Sequence, residues 1–128
     1  MRIEIDRLDH LVMPCGDVEA MADFYVHALD MEKVTFGDGR LALHFGRQKI
    51  NLQTAGGYSG LHAPQHLAGT QDFCLISTTP VIEIKAELQA RGIDVIEGPV
   101  ARAGAIGTLT SIYFRDPEDN LVEISNYD

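Results

Sequence analysis

Apolar side chains first recur at helical spacing at Val18, Met21, Ala22, Tyr25, Val26 and Leu29, the i, i+3, i+4, i+7, i+8 and i+11 positions of one helix face. Asp17 stands just before them as an N-cap candidate. Shorter runs with strand character surround this helix: 8–13 ahead of it, then 33–36, a Gly-Asp-Gly turn at 37–39, 40–45 and 49–53. The order is β-α-β-β-β. A polar, glycine-rich stretch, TAGGYSGLHAPQHLA at 54–68, separates this set from a second one. There, 72–77 reads as a strand and Thr79-Pro80 as a helix start with proline at its first position. Val81, Ile84 and Leu88 form a buried stripe that stops at Gly92, and 93–97, 108–114 and 121–125 read as strands.

Two similar modules therefore follow one another, at about 6–56 and 69–127, within one domain of 128 residues. Aligning LDM (29–31) with RGI (91–93) gives an offset of 62 and carries His10 onto Asp72. Aligning INLQ (50–53) with VEIS (122–125) gives an offset of 72 and carries Asn51 onto Glu123. The ten extra residues are assigned to the segment GPVARAGAIG at 98–107. Glu123 sits between Val122 and Ile124, so strand alternation turns it away from their apolar face. A carboxylate there points to water or to a polar cleft.

Composition narrows the partners. With 45% hydrophobic and 23% charged residues the chain reads as an ordinary globular domain, and its apolar runs are too short to span a bilayer. The N-terminal MRIEIDRLDH lacks the apolar core of a secretory signal, which makes the cytoplasm the expected location. A net charge of -9 repels nucleic acid and anionic lipid, so neither is expected as a partner, and it favours cationic ligands. Cys15 and Cys74, each flanked by apolar residues, are expected as buried reduced thiols.

Three segments, LDHLVMPCGDVEAMADFYVHALDM, FGRQKINLQ and SIYFRDPEDNLVEISNY, together resemble the vicinal oxygen chelate superfamily. That superfamily holds glyoxalase I, fosfomycin resistance enzymes, extradiol dioxygenases and bleomycin resistance proteins. Within it the chain is most similar to the glyoxalase domain-containing protein 5 group and its bacterial relatives, through FGRQKINL, GPVARAGAIG and the last segment. The resemblance implies an α+β fold in which two βαβββ modules form an open, curved, eight-stranded mixed sheet around a cleft, often in a homodimer. It also implies a divalent metal (Mn, Mg, Zn or Ni) on the positions held here by His10, Asn51, Asp72 and Glu123. The chain departs from glyoxalase I in having Asp72 for the second histidine and Asn51 for the first glutamate. The resulting oxygen-rich donor set suits hard cations and disfavours an iron dioxygenase.

Two functional classes follow. One is a metal-dependent lyase or isomerase of the glyoxalase I type, or an enzyme adding thiol or water, acting on a small-molecule substrate with adjacent oxygens; Glu123 is then ligand and general base. The other is a metal-free protein that sequesters a cationic drug, as bleomycin resistance proteins do. Gln53, two residues from Asn51, is placed to orient substrate or to take the role given to Asn51. Arg102 is either a bidentate clamp on substrate or a surface arginine. His62 and His66 are expected to be solvated on their polar loop, with a lid-ligand role as the alternative, and His27 and His44 to be structural.

Overall fold

A computed structural model describes the whole chain, Met1 to Asp128. The elements, in order, are β1 His10–Cys15, α1 Val18–Leu29, β2 Glu32–Phe36, β3 Arg40–Phe45, β4 Gln48–Thr54, β5 Asp72–Ile76, α2 Val81–Ala90, β6 Glu97–Ala103, β7 Thr108–Arg115 and β8 Leu121–Tyr127. The fold is α+β. Its eight strands divide into two four-stranded mixed sheets, ordered β1-β4-β3-β2 and β5-β8-β7-β6, and neither closes into a barrel. The chain separates into two compact units, Met1–Ala68 and Gly69–Asp128. No helix is long and apolar enough to cross a membrane.

In the first unit, β1 runs parallel to β4, with His10 beside Lys49 and Val12 beside Asn51. Period-two alternation then sends Met13, Cys15, Ile50, Leu52, Leu41 and Leu43 toward α1, where all are buried. The helix begins as its sequence asks, with the Asp17 carboxylate accepting from the Ala20 N–H at 3.0 Å. Its buried stripe is Met21, Ala22, Tyr25 and Ala28. Val26, expected on this stripe, is 38% exposed, whereas Ala28 is buried.

The second unit repeats the register: Asp72 lies beside Leu121 and Cys74 beside Glu123 on parallel β5 and β8. Shifts of 62 and 72 thus turn one unit's strand pairing into the other's. Two expectations are corrected here. Residues 93–96 form no strand; β6 starts at Glu97, and its pairing with β7 is bulged between Glu97 and Val100. Nor is 98–107 one inserted loop, since most of it is β6. The turn itself grows by only one residue, 104–107 between the paired Ala103 and Thr108 against 37–39 between Phe36 and Arg40. The strands that flank it are each two residues longer, seven in β6 and eight in β7 against five in β2 and six in β3.

Helix α2 starts one residue later than read, with Pro80 as a cap that has no side chain to offer. Asn126 of β8 does the capping instead. Its Oδ1 accepts from the Val81 N–H at 2.8 Å, and its Nδ2 donates to the carbonyls of Ser77 and Thr79.

Candidate functional site

The site residues lie on the sheet faces turned away from the helices. In the first unit that face carries His10 and Val12 of β1, Lys49, Asn51 and Gln53 of β4, and Arg40 and Ala42 of β3. Asn51 has apolar neighbours on both sides, Val12 and Ala42, so nothing satisfies it: its Oδ1 is shielded from solvent and has no hydrogen-bond partner. Such an orphaned acceptor costs stability on the order of 1–3 kcal/mol and suits a donor or a cation. His10 is partly exposed, and its Nδ1 lies 2.8 Å from the Asp9 carboxylate. That hydrogen bond is the main cause of a lowered Asp9 pKa, against a smaller opposing effect of burial. An ionised Asp9 accepts the Nδ1 proton and leaves the Nε2 lone pair open, as a metal-ligating histidine requires.

The second unit builds a different face from the same register. Glu123, half-buried, lies between Cys74 of β5 and Tyr113 of β7. Its Oε2 accepts from the Ser125 hydroxyl at 3.3 Å, and its carboxylate is hydrogen-bonded to Tyr113. The Tyr113 pKa is raised, first by burial, with Arg102 opposing and Glu123 reinforcing the shift. The phenol therefore stays protonated and donates to Glu123. From the other side, Arg102 Nε donates to the Tyr113 oxygen at 2.9 Å. Arg102 also bonds the Ala101 carbonyl at 3.0 Å and Glu97 at 3.3 Å, so it enters a Glu97-Arg102-Tyr113-Glu123 chain. Asp72 is exposed at the start of β5, beside Leu121.

The predicted ligands thus come in two pairs, His10 with Asn51 and Asp72 with Glu123, each pair two positions out of step on neighbouring parallel strands. No three His, Cys, Asp or Glu side chains form a group that could hold a metal ion. The donor chemistry of each pair nevertheless fits a hard cation: a histidine whose tautomer Asp9 sets, an amide oxygen without a partner, and two carboxylates.

A match to the glyoxalase/bleomycin resistance protein/dioxygenase superfamily model runs over residues 7–124. The chain belongs to this superfamily. A glyoxalase domain-containing protein of Mycosarcoma maydis is 44% identical over 126 residues, which cover 98% of this chain and 71% of that protein. An integron cassette protein from the mobile metagenome of V. cholerae superimposes with a TM-score of 0.97 at 41% identity over the whole of both chains. Lactoylglutathione lyase from Agrobacterium tumefaciens superimposes at 0.75 with 25% identity, covering 95% of this chain and 94% of the other.

Several features of this superfamily member escaped the sequence reading. Cys74 is exposed, unlike buried Cys15; both are free thiols. It shares the open face with Asp72 because β5 alternates, and its Sγ lies 3.2 Å from the Ser125 hydroxyl. Burial is the main cause of its raised pKa, with nearby Glu123 adding to it. His66 is only 6% exposed, not solvated, and is hydrogen-bonded to Gln53. Tyr113 was readable in principle, since Ser111 and Tyr113 alternate with Ile112 and Phe114 along β7.

Proposed function

We propose that the protein is a glyoxalase-like enzyme, dependent on a divalent metal, that acts as a lyase or isomerase on a small molecule with two adjacent oxygens, and that it works as a cytoplasmic homodimer. The orphaned Asn51 Oδ1, on the same sheet face as His10, is the observation that carries this reading, because a shielded acceptor without a partner marks a place for an electrophile. The similarity to a lactoylglutathione lyase points to the same chemistry. His10, Asn51, Asp72 and Glu123 would hold the cation, which supplies polarisation of the adjacent oxygens and acidifies the neighbouring C–H.

Glu123 takes that proton and returns it to the adjacent carbon. Tyr113 holds the carboxylate by a hydrogen bond, and Ser125 holds its Oε2. The substitution Glu123→Gln keeps shape while removing charge and base, so turnover falls by roughly 10²-fold or more, while affinity for a neutral substrate changes little. Full turnover in Glu123→Gln would overturn the catalytic role. Absence of turnover in the parent protein, with salt-sensitive binding of a cationic drug, would replace the enzyme by a sequestering protein.

A further inference from the structure

Within the loop that follows β4, His66 is buried against the end of its own sheet, and its ring lies 4.4 Å from that of His62. Its Nδ1 accepts from the Gly56 N–H at 3.1 Å. The ring proton is therefore on Nε2, which donates to Gln53 Oε1 at 2.8 Å. A glutamine has one acceptor end and one donor end. With the oxygen committed to His66, Gln53 presents its two N–H groups.

Gln53 lines a cavity of about 220 Å³ in the first unit, together with Glu19, Arg40, Thr54 and Tyr58. Arg40 is held over the Phe36 ring, with 4.5 Å between guanidinium carbon and centroid. Glu19 shares Lys33 with Asp23, at 2.7 and 3.1 Å, so its charge is offset in part. Beside the apolar Val18, Leu41 and Leu52, the remaining polar side chains offer donors: a guanidinium, the amide N–H pair and two hydroxyls. At about 30 Å³ per water, the space suits a group of several heavy atoms and falls short of a drug-sized ligand.

We infer that this cavity is a subsite for a carboxylate of the substrate, and that His66 is a positioning residue that fixes Gln53 as its donor. The inference rests on the small-molecule reading above and is independent of the metal. Its test therefore uses the full chain in the presence of a chelator, with ¹⁵N labelling and pyruvate as probe. Pyruvate is expected to shift the Gln53 side-chain N–H signals saturably, whereas methyl pyruvate and choline do not. Gln53→Glu, an acceptor where a donor is needed, is expected to weaken pyruvate binding at least about tenfold. His66→Ala frees the amide to turn, lowering affinity severalfold, and His66→Gln, which can again donate to Gln53 Oε1, restores it. A purely structural role for His66 would lower stability without that rescue. Absence of a Gln53 shift in the parent protein, or unchanged pyruvate affinity in Gln53→Glu, would overturn the inference even if metal-dependent turnover were intact. Loss of turnover alone would leave it standing.

Discussion

Replacing Asp116 by alanine removes the centre of the turn that delivers Glu123 to its strand. Asp116 is 3% exposed. Its Oδ1 accepts from the backbone N–H groups of Glu118 and Asn120, both at 3.0 Å, and its Oδ2 from Asn120 Nδ2 at 2.8 Å. Asn120, itself fully buried, uses its Oδ1 to accept from the Gln71 N–H at 2.9 Å, directly before β5. Water can reach the Glu118 N–H in the half-exposed turn, so that bond is partly replaced. The bonds from the Asn120 N–H and Nδ2 to Asp116 are lost where both residues are buried, at about 1–3 kcal/mol each. Turning the Asn120 amide over would take its Nδ2 from the vacated acceptor but set that NH₂ against the Gln71 N–H. The expected loss is about 3 kcal/mol, or near 10 °C in Tm for a chain of this length. Asp116→Asn keeps both backbone acceptances and loses only the side-chain pair, so it should cost about half as much. Urea unfolding of the three proteins measures this directly. Asp116→Ala within about 0.5 kcal/mol of the parent protein would refute it, as would Asp116→Asn matching the alanine variant.

Asn126→Ala strips the start of α2 of its cap, leaving Val81 N–H and the Ser77 and Thr79 carbonyls without their partner. Unfolding free energy should fall by about 1–2 kcal/mol in the same urea assay. Of the two thiols, only Cys74 is open to reagent, so native alkylation read by mass spectrometry should add one label, with Cys15 following only on unfolding. Because the Cys74 pKa is raised above its ordinary value of 9.0, the alkylation rate should still be climbing above pH 9, and Glu123→Gln should quicken it at neutral pH.

Where the physics was local, the sequence carried it: Asp17 as cap, the Gly-Asp-Gly hairpin and the alternation that turns Glu123 from the core were all readable. So was the repeat, because strand pairing preserves register even where side chains diverge, as in His10 against Asp72. What failed depended on contacts between distant residues. Pro80 looked like a helix start in its own right, but the cap comes from Asn126, far along the chain. His66 sits in a polar loop, and no local pattern announces that Gln53 and Gly56 bury it. The Arg102–Tyr113 hydrogen bond joins opposite strands of a hairpin, which no local pattern announces.

The central claim is that His10 and Glu123 bind a divalent metal needed for turnover. Its most direct test is the metal content of protein purified without chelator, measured alongside His10→Ala and Glu123→Ala, with turnover of the hemithioacetal of methylglyoxal and glutathione followed in each. About one metal per chain in the parent protein, loss of it in both folded variants, and turnover that a chelator abolishes and added metal restores are the predicted results. Equal metal content in all three proteins, or turnover indifferent to the chelator, would contradict the claim.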